Sequence, residues 1–98
     1  MVNYRISEDA KADLRRIYRH GIRKYGEGQA DLYYDALIER FEQLVLQPFL
    51  YQAVDDICPG YRRSVCGVDS IYYRLCGGTV EIMSILGQQD LRAFTPVS

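Results

Sequence analysis

Residues 61–86 read YRRSVCGVDSIYYRLCGGTVEIMSIL, and this stretch decides the fold class. It divides into three runs, Tyr61–Cys66, Val68–Leu75 and Thr79–Leu86, rich in β-branched and aromatic residues and separated by Gly67 and by the Gly77–Gly78 pair. Such side chains suit a pleated, half-buried surface, and glycine takes positive φ without a Cβ penalty, so the runs predict strands joined by tight turns. An antiparallel β-meander is expected.

Upstream the period changes. Ala10, Leu14, Ile17, Tyr18, Gly21, Ile22 and Tyr25 recur at helical spacing and predict a helix over Glu8–Tyr25. Ser7 offers an N-cap hydroxyl, Glu8 and Asp9 suit the positive end of the helix dipole, Arg23 and Lys24 suit its negative end, and Gly26 offers a left-handed stop. The alternation of Tyr4, Arg5 and Ile6 predicts a short strand running straight into this helix. After Glu27 and Gly28, a second stripe of Ala30, Tyr33, Tyr34, Leu37, Ile38, Phe41, Leu44 and Val45 carries a second helix to about Leu46.

So short a connection makes the helices antiparallel neighbours covering one face of the sheet, which the first strand joins at an edge or in the centre. Gln47 and Pro48 end the second helix, and residues 49–60, with Asp55, Asp56, Pro59 and Gly60, read as a loop. Residues 87–98 carry no strong pattern and are expected to be disordered or shaped by a partner. The expected architecture is one α+β domain over residues 1–98: an N-terminal strand, an antiparallel helical hairpin and an antiparallel meander, in the order β-α-α-β-β-β.

The 98 residues are 48% hydrophobic and 26% charged, close to the globular average, so neither disorder nor a membrane class is favoured. No run approaches a membrane span, the first residues lack the layout of a signal peptide, and the cytoplasm is the expected compartment. Cys58, Cys66 and Cys76 are odd in number and too widely spaced for a CxxC site, and are expected to be reduced, mostly packed thiols. A net charge of −1 argues against a generic nucleic-acid binder. The distribution is more informative. Six of the twelve Lys and Arg residues fall between Lys11 and Lys24, whereas Asp31 to Asp56 carries six acidic residues against Arg40 alone. Such a split predicts complementary faces, within the molecule or toward a partner.

Catalytic patterns are sparse. His20, the single histidine, stands among Arg16, Arg19, Arg23 and Lys24 and reads as a solvated helix-face residue. No nucleophile elbow or Gly-rich phosphate loop accompanies it. Asp55 and Asp56 are adjacent in a loop and read as a solvated acidic turn, not as a paired acid and base. What remains is Arg62 and Arg63 on the first meander strand and Tyr73 and Arg74 on the second. Strand alternation sends Arg62 and Arg63 to opposite faces, and a forked guanidinium suits phosphate or carboxylate. Solvated or salt-bridged arginines are the plainer reading.

In order and spacing the chain resembles the ParE branch of the RelE/ParE toxin superfamily of type II toxin–antitoxin systems. The resemblance lies in Tyr4, Arg5, Ile6 and Ser7 leading into Ala10, Lys11, Ala12, Asp13, Leu14 and Ile17, then Tyr25, Gly26, Gln29, Ala30 and Tyr33, then Leu44 and Pro48. It continues through Pro59, Gly60, Tyr61, Arg62 and Arg63, then Ile71, Tyr72, Tyr73 and Arg74, and ends on Ile85, Leu86, Gln88 and Asp90. The chain departs from that pattern after Leu86, where Gly87 stands in place of a frequent histidine and Gln89 in place of a basic residue.

The resemblance implies a toxin, not an enzyme, that inhibits DNA gyrase and is neutralised by a cognate ParD-like antitoxin in a hetero-oligomer. It implies no catalytic residue, metal, cofactor, membrane or direct nucleic-acid specificity. By the same resemblance the target-binding residues are Arg62, Arg63, Tyr73, Arg74, Gln88, Gln89 and Asp90, and the antitoxin-binding residues are Arg15, Arg16, Arg19, Arg23, Tyr34 and Ile38. Two alternatives stay open: a RelE-like ribosome-dependent mRNA endoribonuclease using Arg62, Arg63 and Tyr73, and an attenuated toxin acting only as an antitoxin-binding module.

Overall fold

The computed structural model describes residues 3–87. The element order is β1 (Tyr4–Ile6), α1 (Glu8–Tyr25), α2 (Glu27–Leu46), β2 (Gln52–Ala53), β3 (Arg62–Cys66), β4 (Asp69–Cys76) and β5 (Thr79–Gly87). The expected meander is present as β3, β4 and β5, paired antiparallel, within a five-stranded sheet of order β1-β5-β4-β3-β2.

Three details differ from the sequence expectation. The sheet is mixed, because β1 joins the β5 edge parallel to it, with Tyr4 opposite Val80 and Ile6 opposite Ile82. The 49–60 loop contains β2, which pairs Gln52 with Arg63 and Ala53 with Arg62. Helix α2 starts at Glu27, so Gly26 alone connects the helices. Its φ of 92° and ψ of 163° combine positive φ with an extended ψ, which glycine adopts most readily, and its N–H reaches the Ile22 carbonyl while its own carbonyl accepts from Ala30.

Helix α1 forms where its caps place it. The Ser7 hydroxyl accepts from Ala10 N–H at 3.0 Å, and Arg23 and Lys24 lie in the last turn. The same helix closes the backbone edge of β5 beyond the short β1. Ser7 N–H donates to the Ile82 carbonyl and Ser7 Oγ to the Met83 carbonyl, each at 2.9 Å. Farther along, Asp13 Oδ2 accepts from Ile85 N–H at 2.9 Å while Arg16 donates to the Ile85 carbonyl at 3.0 Å. Arg40 does the same on the other side, donating to the Val65 carbonyl at 2.7 Å and to Ser64 Oγ at 2.8 Å while lying over the Tyr51 ring. Sheet edges left by two very short outer strands are thus occupied by helix side chains.

The core lies between the hairpin and one sheet face. Ala10, Leu14 and Ile17 of α1 and Leu37, Phe41 and Leu44 of α2 pack on Ile71, Tyr73, Val80, Ile82 and Ile85, and Tyr4 meets Phe41 edge-to-face at 5.6 Å. Replacing Leu14, buried at 5% exposure, by alanine should cost about 2–5 kcal/mol, read as a lowered urea midpoint; a loss below about 0.5 kcal/mol would displace Leu14 from the core. All three cysteines are free, as expected, but only Cys66 is packed: Cys58 is half-buried and Cys76 is exposed beside the turn between β4 and β5. No helix among the described residues is long and apolar enough to cross a membrane.

Candidate functional site

Strand register sorts the arginines of the sheet. Residues opposite one another point to the same face, so Arg62, Ser64 and Cys66 share the hairpin side with Tyr73, Ile71 and Asp69. Arg63 and Arg74 therefore point to the other side.

On the hairpin side the side chains are already engaged. Tyr73 is fully buried and donates its hydroxyl to the Pro48 carbonyl at 2.7 Å, and burial pushes its pKa up to about 12. Arg62 donates to the Tyr51 carbonyl at 2.7 Å and lies over the Phe49 ring at 5.0 Å. Both residues pin the segment that follows α2. A core tyrosine presents no surface of its own, and the half-buried Arg62 fork is held by a carbonyl and a ring.

The opposite face carries a charge array across three strands. Glu81 lies between Arg74, whose Nε is 2.7 Å from Oε1, and Arg5, whose Nη2 is 3.1 Å from Oε2. The hydrogen bond from Arg74 holds the Glu81 carboxyl below its ordinary pKa, with Arg5 acting in the same direction. Among the described residues, Arg63 has only a 3.4 Å contact to Gln52 Oε1. It is the least compensated guanidinium of the four. Gln88, Gln89 and Asp90 lie outside the described residues.

The hairpin carries a groove of about 630 Å³ lined by Ile6, Lys11, Leu14, Arg15, Tyr18, Asp31 and Tyr34. Tyr18 and Tyr34 meet edge-to-face at 5.8 Å, and the Tyr18 hydroxyl donates to Asp31 at 2.6 Å, a bond that raises the Tyr18 pKa to about 12. Of the residues expected to take the antitoxin, Arg15 and Tyr34 line this groove. Ile38 is half-buried beside it on the α2 stripe, Arg19 and Arg23 are exposed on α1, and Arg16 is committed to Asp13 and the Ile85 carbonyl. Sequence reasoning missed Lys11, Tyr18 and Asp31 here, although their helical spacing relative to Arg15 and Tyr34 carried the signal. His20 is exposed on α1, and Asp55 caps the 55–60 turn through Gly60 N–H at 2.8 Å.

A further cluster joins the end of the hairpin to the sheet. The Tyr33 hydroxyl lies 2.8 Å from both the Cys66 carbonyl and an Asp69 carboxylate oxygen, and its ring packs against Gly67. Burial, reinforced by the bond to Asp69, raises the Tyr33 pKa, so the hydroxyl stays protonated and donating at neutral pH. This cluster fixes α2 on the β3–β4 turn.

The model of the family described as the ParE toxin of the type II toxin–antitoxin system parDE matches residues 4–92. The chain belongs to the ParE toxin family. Toxin ParE1 of Mycobacterium tuberculosis is 31% identical over 87 residues, 88% of this chain and 89% of the relative. Toxin ParE1 of Caulobacter vibrioides is 35% identical over 88 residues, covering 90% and 91%. A solved structure of the chromosomal ParDE TA system from P. aeruginosa has the same fold, with a TM-score of 0.77 at 22% identity over 89% of this chain and 96% of that one. The β-α-α-β-β-β order read from sequence is thus that of a ParE toxin, with β2 as a short addition to the sheet edge.

Proposed function

We propose that this ParE-family toxin inhibits DNA gyrase by binding, without catalysis, and that a ParD-like antitoxin encoded beside it neutralises it by direct contact. The observation that carries this reading is the family match, which spans both the hairpin and the sheet. The relatives of similar length are named toxins, and the structural neighbour is a toxin–antitoxin system.

The geometry supports binding over catalysis. A RelE-like ribonuclease built on Arg62, Arg63 and Tyr73 needs these groups to converge on one phosphate. Here Tyr73 and Arg62 are tied to backbone carbonyls on the hairpin side, and Arg63 points the other way. What the sheet offers outward is an array of charges, suited to holding a macromolecular surface.

The test is a supercoiling and cleavage assay with purified gyrase, this chain, and the protein encoded beside its gene. The expected outcome is loss of supercoiling that the neighbour relieves. Intact supercoiling together with codon-spaced cuts in ribosome-bound mRNA would replace this reading with the ribonuclease. No effect in either assay, with antitoxin binding kept, would leave an antitoxin-binding module.

A further inference from the structure

Tyr72 is buried on the side of the sheet that the helices do not cover. It lies opposite Arg63 and Ser84, on the face away from the hairpin, and stands outside the core cluster that contains its neighbours Ile71 and Tyr73. Its exposure is nevertheless 1%. On the same face Val65 is 60% exposed, so the face is open near the end of β3 and closed over Tyr72.

The described neighbours of Tyr72 do not account for that closure. Ser84 lies opposite it and Ser70 two positions away on β4, and neither is large enough to cover a phenol ring. The two arginines beside it are drawn elsewhere: Arg74 Nε to Glu81 at 2.7 Å, and Arg63 Nη2 toward Gln52 on β2, away from β4. The 55–60 turn is tied to Val54 and Tyr61, at the start of β3. Toward the other end, Leu86 on the same face and Met83 at the strand irregularity are half-buried, so apolar surface continues from Tyr72 to the end of β5.

We infer that residues 88–98 of the chain itself turn back from Gly87 and dock on this face, with Leu91 and Phe94 seated on Tyr72 and Leu86. The occupant follows from reach and composition. Ser84, level with Tyr72, lies three residues of strand before Gly87, about 10 Å, and a reversal through the polar Gln88, Gln89 and Asp90 brings Leu91 and Phe94 within reach of Tyr72. Leu91 and Phe94 supply the apolar surface that the Tyr72 ring and Leu86 match, and their contact removes that area from water. The consequence rests on the gyrase reading. Arg63 stands in the same row of the sheet as Tyr72, so Arg63 and the docked segment form one target surface although they are distant in sequence.

Nitration with tetranitromethane, mapped by mass spectrometry, reads the exposure of each tyrosine in the full chain, in a chain ending at Gly87, and in the full chain with Leu91→Ser and Phe94→Ser. Tyr25, 63% exposed, and Tyr73, fully buried, serve as references. Tyr72 should be protected in the full chain and should react about tenfold faster or more in both variants, while Tyr73 stays protected. Equal protection of Tyr72 in all three would show that the strands alone bury it and would overturn the inference. Reactivity of Tyr72 equal to that of Tyr25 in the full chain would overturn it as well. Where a variant unfolds, Tyr73 reacts too, and nuclear Overhauser contacts between the Tyr72 ring and Leu91 or Phe94 in the unaltered chain decide: their presence is expected and their absence overturns the docking. Protection lost on dilution, with a mass of two copies, would assign the face to self-association instead. None of these readouts involves gyrase, so the docking and the target reading fail separately. In the supercoiling assay the double variant should inhibit about tenfold less, and full inhibition with Tyr72 exposed would overturn the shared target surface.

Discussion

Gly67→Ala should lower the thermal midpoint by about 10 °C or more, far beyond the effect of the same change at Gly77. Both glycines sit in hairpin turns with nearly equal positive φ, 63° and 59°. An L-residue in that region costs about 1–2 kcal/mol, and Gly77→Ala should show this alone because nothing lies within 4 Å of its Cβ position. At Gly67 the added carbon would stand 2.5 Å from Tyr33 Cε1 and 2.9 Å from its hydroxyl oxygen. Tyr33 would have to leave, taking with it the only described donor to the buried Asp69 side chain. Leaving such a group unpaired adds about 1–3 kcal/mol, for a sum of about 2–5 kcal/mol. In a domain of this size each kcal/mol shifts the midpoint by about 4–8 °C. Equal midpoints for the two alanine variants would show that the Tyr33 contact is dispensable. The steric cost should also fall sharply in a Tyr33→Ala background, a non-additivity that a purely backbone effect would not produce.

That cluster marks the limit of what the sequence discloses. Gly67 announces a turn by its position between two β-rich runs, but its approach to Tyr33, 34 residues earlier, is a tertiary fact with no local signature. The same division runs through the fold. Helix α1 was legible because Ser7, the acidic first turn and the basic last turn all act locally. The parallel placement of β1 was not, because Tyr4 pairs with Val80 across the whole chain. Nor was β2, whose two residues are too few to show a period and which exists only through its pairing with β3.

The site divides in the same way. Alternation states that Arg62 and Arg63 face opposite sides, and likewise Tyr72 and Tyr73, yet it does not state which side meets the hairpin. An irregularity between Tyr72 and Tyr73, where β5 contributes one extra residue, further obscures any register drawn from spacing alone. Tyr73 therefore carried a family resemblance to a target-facing role although its environment is the core. Arg15 and Tyr34, by contrast, are implied as antitoxin contacts by the resemblance, and both line the groove. On a helix the exposed stripe follows directly from the buried one. Arg40 was also visible in the sequence as the lone cation of an acidic stretch, but the β3 edge it closes was not.

Arg63→Ala should reduce gyrase inhibition by about tenfold or more while changing antitoxin affinity less than about threefold. The separation follows from position. Arg63 lies on the sheet face away from the hairpin, so its removal leaves the groove walls untouched, and its single described contact, 3.4 Å to Gln52, contributes little to folding. Arg74 and Arg5 share Glu81, which offsets one of their two charges and holds the Arg74 guanidinium, so the same truncation at Arg74 should have a smaller effect on the target and a larger one on the sheet surface. A guanidinium that meets a carboxylate or phosphate through two N–H groups is not replaced by an ammonium of the same charge, so Arg63→Lys should recover only part of the loss. Full recovery by lysine would reduce the role of Arg63 to general electrostatics, and its effect would then fade at high salt. Inhibition by Arg63→Ala equal to that of the unaltered chain would move the target surface off this face of the sheet. Deletion of residues 88–98 in the same assay then decides whether the remaining target contacts reside there.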